Sequence, residues 1–456
     1  MAGKALLADE GARAQTRECH PQPFARVFSQ FAALCLTLMH NTVSKKDPQE
    51  STLIMERTQL AELLAKAEKA EPSELTDQEI VALLGLTDPE DCRMLKDAAF
   101  RRTTALMGPY VYYRGLIELS NICTANCRYC GIRKANHDVK RYTMTKEEIV
   151  EAAVWAADNG YGSVCLQAGE RRDEKFIEFI CECLREIHLR TKRPMLPKGV
   201  GVTLSLGDQR EETYRRWAKA CGNPESIRYL ARFETSNPEL FNLLHSTPGT
   251  NEKNLEHRFE CLRSLRRAGY QLGTGVMIGI PGQTLEDLCR DIRTFQKLDV
   301  DMIGMGPYLK CEGNDLESLG QMEPKALLQL ALNMIAVTRL VMGPINIAAA
   351  TALQAIRDDG REMGVEYGCN VVMPNLSPQR FRKGYQLYDN KPCLDDEPTH
   401  CASCLERRIE SRGRLVGWNM SGSSRRFLRR VGRPDEVRPV KEFTAEGKRL
   451  IRLHSV

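Results

Sequence analysis

A chain of 456 residues with 42% apolar side chains can bury two or three average domains, or one large α/β barrel with attachments. A formal net charge of +5 is too small to argue for nucleic acid, and no uninterrupted apolar run reaches the ~18 residues that suggest a membrane span. The 17 cysteines, without a convincing secretory leader, point to a reducing compartment and to metal ligation instead of disulfides.

Residues 1–54 read as an extension. Arg13, Arg17 and Arg26 with few acids suit an organelle transit peptide, and Met39 and Met55 suit a start assigned too far upstream. A helical leader is expected over 55–108: Thr58–Ala70, Thr76–Leu84 and Asp88–Leu106, the last with Cys92, Leu95, Ala98, Ala99 and Leu106 on one face. From 109 to 380, short apolar runs alternate with amphipathic ones. The strands predicted are Leu116–Ile122, Ser163–Gln167, Val200–Leu206, Tyr229–Phe233, Leu272–Ile278, Met302–Met305, Ile345–Ala350 and Asn370–Met373. The helices between them are Lys146–Asn159, Glu174–Leu189, Gln209–Ala220, Leu255–Ala268, Leu285–Leu298 and Pro324–Val341. Thr145 with Glu148 makes a capping box, and Asn159-Gly160 and Ala268-Gly269 make helix stops. A segment 381–424 with further cysteines follows. The last stretch, 425–456, opens with Arg425, Arg426, Arg429, Arg430 and Arg433 and reads as a solvated basic tail, or as a docking surface for an acidic partner.

Alternation of strands with helices implies parallel pairing, and eight strands close a TIM-type (β/α)8 barrel. An open doubly wound sheet is the alternative, but Gly273-Thr-Gly275 has no third glycine at the dinucleotide-binding offset. In a barrel, chemistry belongs at the C-terminal strand ends. Those ends carry Gln167, Thr203, Ser205, Arg232 and Glu234. Arg232 and Glu234, two apart, would face the same way in extended chain and suit a zwitterionic ligand; the bland reading is a structural ion pair.

The run after the first strand is Asn121-Ile-Cys-Thr-Ala-Asn-Cys-Arg-Tyr-Cys-Gly131. Cys123, Cys127 and Cys130 have C-x3-C-x2-C spacing, enough for three irons of a 4Fe–4S cube with the fourth iron left open. This is the spacing of radical S-adenosylmethionine (SAM) enzymes, in which Tyr129 would be the usual aromatic before the last cysteine. A zinc site would want a fourth ligand nearer than His137, and three cysteines are an odd number for disulfides.

Further stretches carry a closer resemblance: Arg114-Gly-Leu-Ile-Glu-Leu-Ser-Asn-Ile-Cys123, Leu166-Gln-Ala-Gly-Glu170, Val202-Thr-Leu-Ser-Leu-Gly207, Arg232-Phe-Glu-Thr-Ser-Asn-Pro238, Ile278-Gly-Ile-Pro-Gly-Gln-Thr284, Asn370-Val-Val-Met-Pro-Asn375 and Tyr385-Gln-Leu-Tyr388. From about Arg114 to Trp418 the chain resembles the HydE family, the radical SAM maturases of FeFe-hydrogenase. The resemblance implies a full barrel with a long internal cavity and a 4Fe–4S cluster on Cys123, Cys127 and Cys130. It implies SAM on Tyr129, Gln167, the Ala168-Gly169-Glu170 turn, Ser205, Glu234 and Arg258. Arg114, Thr203, Arg232, Met277, Thr351 and Tyr385 would line the cavity for substrate. Asn346-Ile-Ala-Ala-Ala-Thr351 departs from the family, with alanines where relatives present Pro and an extra Thr.

Cys393, Cys401 and Cys404 are spaced like the auxiliary Fe–S ligands of some family members; a spectator or zinc-loaded loop is the plainer reading. The expected function is reductive cleavage of SAM to a 5′-deoxyadenosyl radical acting on an iron- and cysteine-derived precursor of the di-iron subcluster. The expected partners are HydG-like and HydF-like maturases and a ferredoxin or flavodoxin donor, in the cytoplasm or in a hydrogen-metabolising organelle, with neither nucleic acid nor membrane. The rivals are a methylornithine synthase- or biotin synthase-like enzyme and a non-catalytic Fe–S scaffold.

Overall fold

The computed structural model describes residues 56–69, 73–245, 254–313, 316, 319–394 and 398–433, the side chains of 398–403 excepted. The extension expected over 1–54, the end of the basic tail (434–456) and the Cys401 side chain lie outside the described residues.

The strands are β1 (Tyr110–Ser120), β2 (Ser163–Ala168), β3 (Gly201–Ser205), β4 (Ile227–Leu230), β5 (Gln271–Thr274), β6 (Met277–Ile278), β7 (Met302–Pro307), β8 (Asn346–Ala349), β9 (Val371–Val372) and β10 (Leu415–Val416). β1 pairs with β2, and pairing continues in parallel through β3, β4, β5, β7, β8 and β9 back to β1. The eight-stranded ring is closed, as expected of a (β/α)8 barrel.

Helices cover the outside. Thr145 accepts from the Glu148 amide while Glu148 reaches back to the Thr145 amide, so the predicted capping box forms at Lys146–Asp158. The leader helices Arg57–Lys69, Asp77–Leu84 and Pro89–Met107 pack Leu60, Leu64, Ile80, Leu83, Leu95 and Ala98 into the same core as the barrel. Pro324–Met342 is long and apolar enough to cross a membrane by length and composition, although no unbroken apolar run marks it in the sequence. It is a core helix: 78% of its most apolar window is buried, and Arg339 within it donates to the carbonyls of Gly343, Ile345 and Gly368.

Two strands differ from expectation. β1 begins six residues earlier than Leu116, because Tyr110–Val111 pair with β10 and Tyr112–Tyr113 with β9. The run Leu272–Ile278 is split into β5 and β6 at Gly275-Val276. A Cβ at Gly275 would lie 1.9 Å from the Gly304 carbonyl oxygen, and Val276 bridges to Glu234 instead.

The chain after β10 closes the floor. Arg114 donates to the Gly422 carbonyl (3.2 Å), Arg228 to that of Ser421 (2.7 Å), and Asn346 to Gly422 (2.8 Å). The next helix, Arg425–Arg430, corrects the expectation of a solvated basic tail as far as Arg433. Arg426 pairs with Asp299 at 2.9 Å, Arg430 with the buried Asp301 at 2.7 Å, and Arg433 with Glu225 at 2.5 Å. Acids at the N-terminal ends of the strands make this a docked segment, and sequence order alone could not reveal them.

Candidate active site

Along β1 the side chains of Arg114, Leu116 and Glu118 share one face. Arg114 reaches Met302 Sδ of the non-adjacent β7 at 3.1 Å, so this face lines the lumen. Strand register then places Glu118, Gln167 and Ser205 in one layer near the C-terminal ends, with Leu116, Cys165 and Thr203 in the layer below. The Thr203 hydroxyl is buried without a hydrogen-bond partner among the described residues.

The cysteine loop leaves the end of β1. Arg141 gathers it, donating to the carbonyls of Asn121 and Ile132 from one nitrogen and to those of Arg133 and Asn136 from the other, at 2.6–2.8 Å. The turn after β2 is pressed against the loop. Gly169 donates to the Ser120 carbonyl, Thr124 donates to the Glu170 carbonyl, and the Glu170 amide points at Cys123 Sγ, 3.3 Å away. A Cβ at Gly169 would sit 2.4 Å from the Ile122 oxygen, and one at Gly131 would sit 2.1 Å from the Gln386 oxygen. Both glycines are needed for close backbone approach.

Cys123, Cys127 and Cys130 are half-buried free thiols. Burial, then the neighbouring Cys127 and Cys123, push the Cys130 thiol upward, while the Ile132 amide hydrogen-bonds to it and favours the thiolate. Three thiols close enough to oppose one another's ionisation, with amides aimed at two of the sulfurs, fit a cationic iron–sulfur group.

Beside the loop, acid and base converge. Glu234, after β4, holds the left-handed φ of 65°, a strained conformation for a non-glycine residue, because its amide donates to Gly275 and its carbonyl accepts from Met277. Its carboxylate is 2.8 Å from Arg232 and accepts from the Tyr129 hydroxyl at 3.3 Å. Burial, then Glu234, Cys127 and Cys130, raise the Tyr129 hydroxyl well above its ordinary range, so it remains a donor. Tyr129 packs on Leu240, Leu244, Met277, Ile280 and Tyr308 and stands edge-on to His245.

Arg258, on helix Leu255–Arg267, pairs through Nε with Asp208 at 2.9 Å and donates to the Arg232 carbonyl. Burial opposes its charge, but Asp208 and Glu170 outweigh burial and hold the guanidinium protonated. Glu170 itself is engaged with Arg172 and the Asp208 amide.

Tyr385 is buried near the cluster loop, its carbonyl accepting from Lys391 at 2.7 Å. Thr351 begins the short helix after β8 and is half-buried. Cys393, with φ of 64°, lies 3.9 Å from an Arg361 nitrogen, and Cys404 is exposed on helix Pro398–Glu410.

Sequence reasoning missed several residues of this region. Lys391 pairs with Glu118 inside the barrel, and Asn375 donates to the other Glu118 oxygen at 3.0 Å. A charge within the apolar run of β1 was the available signal. Arg141 and Asp208 carried none, since Arg141 acts through backbone carbonyls and Asp208 through Arg258, far away in the chain.

Residues 117–295 match the family model described as the radical SAM superfamily. The "[FeFe] hydrogenase maturase subunit HydE" of Thermotoga maritima is 38% identical over 365 residues, 79% of this chain and 97% of that protein. The 3-methylornithine synthase of Methanosarcina barkeri is 26% identical over 75% of this chain and 90% of its own. The crystal structure of HydG, "a maturase of the [FeFe]-hydrogenase", shares the fold with a TM-score of 0.67 at 17% identity, over 84% of this chain and 82% of that one. A relative 38% identical across nearly its whole length, joined to a three-cysteine loop at the mouth of a closed parallel barrel, puts this chain in the HydE family of FeFe-hydrogenase maturases, radical SAM enzymes with a 4Fe–4S cluster and SAM as cofactors.

Proposed function

We propose that this radical SAM maturase acts on an organometallic iron species bearing CO, cyanide and cysteine, on the way to the di-iron subcluster of the hydrogenase. The observation that carries the reading is the stacking of two sets of residues along one lumen. The cysteine loop with Tyr129, Arg232, Glu234 and Arg258 caps its mouth, with Tyr385 beside that loop, while Thr203 and Arg114 lie deeper. When bound on Cys123, Cys127 and Cys130, the cluster supplies the electron that splits SAM into methionine and a 5′-deoxyadenosyl radical.

The chain's own part is binding, orientation and exclusion of water. Glu234, fixed by Arg232 and Tyr129, presents a carboxylate to the SAM ammonium, and Arg258 presents a guanidinium to the SAM carboxylate. Gln167 and Ser205, in one layer under the mouth, hold the ribose and adenine side. The buried Arg114 and the unpartnered Thr203 hydroxyl suit an anionic, cyanide-bearing substrate below them. A lumen closed at the floor by 417–424 keeps a primary carbon radical from competing hydrogen donors. Cys393, Cys401 and Cys404 hold an auxiliary cluster in this reading. HydG-like and HydF-like maturases and a ferredoxin or flavodoxin are the partners, in the cytoplasm, where thiols stay reduced.

The test is anaerobic. Reconstituted, reduced protein with SAM forms 5′-deoxyadenosine and Cys127→Ala does not; adding the iron–cysteine species accelerates formation and consumes that species. A Cys127→Ala variant that still cleaves SAM defeats the assignment of the cluster ligands. Unchanged iron–cysteine species beside normal cleavage defeats the substrate.

A further inference from the structure

Outside the lumen, one cluster of side chains has metal-ligand chemistry that the reaction above does not use. Asp208 lies in the loop after β3. His257 and Cys261 are four apart on helix Leu255–Arg267, so they project from one face. Each of the three offers a ligand atom, and these atoms lie within 4.8 Å of one another. Cys261 Sγ is 3.6 Å from His257 Nε2. With metal–sulfur and metal–nitrogen bonds of about 2.3 and 2.05 Å, two ligands of one tetrahedral zinc ion stand ~3.5 Å apart. The thiol and imidazole are thus already separated by the edge of such a tetrahedron. Asp208 and Cys261 are buried while His257 is exposed, so the cluster is closed toward the protein and open to solvent at the imidazole.

We propose that Asp208, His257 and Cys261 form a site for a thiophilic divalent transition-metal ion of the zinc class, with water in the fourth position. A thiolate, a carboxylate and a neutral imidazole offset the dication, and the charge of Arg258, which shares that carboxylate, is left for another anion. Coordination expels the Cys261 thiol proton to solvent. The carboxylate of Asp208 already pairs with Arg258 Nε at 2.9 Å. Its two oxygens can serve both cations, but a metal ion draws electron density from that pair and leaves the Arg258 guanidinium freer for another anion. Arg258 is the residue assigned above to the SAM carboxylate, so occupancy of this site strengthens SAM binding.

Full-length protein with its iron–sulfur cluster in place is equilibrated with Zn2+, dialysed, and assayed for zinc and iron per chain, beside His257→Ala and Cys261→Ser. The expected result is one zinc ion fewer in each variant, with iron unchanged. Zinc at Cys393, Cys401 and Cys404 is common to all three proteins and cancels. The zinc edge spectrum of the wild type gains a sulfur and a nitrogen scatterer that both variants lose. Equal zinc in the three proteins overturns the proposal. His257 is exposed, so His257→Ala keeps the fold and carries the test if Cys261→Ser loses iron. Neither readout requires SAM cleavage, so failure here and failure of the maturase reaction are separately visible.

Discussion

Lys391→Met strands a carboxylate inside the barrel. The Glu118 side chain is 2% exposed and that of Lys391 7%, and among the described residues the other contact of the Glu118 carboxylate is the Asn375 amide at 3.0 Å. Removing one partner of a buried pair costs about 3–5 kcal/mol, mostly as desolvation of the charge left behind. Unfolding entropy of ~2.1 cal/mol/K per residue over roughly 400 residues converts that into a fall of roughly 4–6 °C in Tm. The assay is thermal unfolding of cluster-free protein followed by circular dichroism. Removing both charges in Glu118→Met/Lys391→Met restores most of the loss, since two apolar groups of similar volume fill the space without a stranded ion. A single variant within about 1 °C of wild type, or a double variant no better than the single, refutes the reasoning.

Gly131→Ala drives a Cβ into the Gln386 carbonyl oxygen, so iron bound per chain falls by more than half while the far-ultraviolet dichroism is retained. Arg141→Met removes the donor to four loop carbonyls, each bond being worth about 1.5–3 kcal/mol; iron content and Tm both fall, and Arg141→Lys recovers part of each. Asp291, which accepts from the amide and hydroxyl of Ser236, is pushed up to about 7 by burial. A carboxyl whose folded-state titration lies above its unfolded one contributes stability at low pH and loses it as pH rises, here between about 4 and 7. Wild type should therefore lose up to ~4 kcal/mol across that window in urea titrations relative to Asp291→Asn. Parallel pH profiles for the two proteins would exclude this role.

Helix and strand positions were largely legible because alternation and 3.6-residue periodicity are local properties. Lys146–Asp158 and Leu285–Lys297 differ from expectation only at their last residue. The early start of β1 was not legible, because its pairing with β10 joins segments some three hundred residues apart. The break between β5 and β6 depends on the approach of the Gly304 carbonyl to Gly275, a contact between separate strands. In the site, the cysteine run and the pair Arg232 and Glu234 could be found from spacing. The left-handed φ of Glu234 could not, because bonds to Gly275 and Met277 impose it.

By itself the sequence determined the chemistry: three thiols at ligand spacing after a strand, and enough strand–helix repeats to close a barrel. Those follow from the order of residue types over short distances. Tertiary structure alone decided what surrounds that chemistry. It set Lys391 against Glu118, Arg141 under the loop, the basic helix against Asp299 and Asp301, and Asp208 beside His257 and Cys261. Apart from the Arg141 bonds, which span 5 to 20 residues, these join residues far apart in the chain, and closing such loops is set by the packing of the whole barrel, which no local pattern encodes.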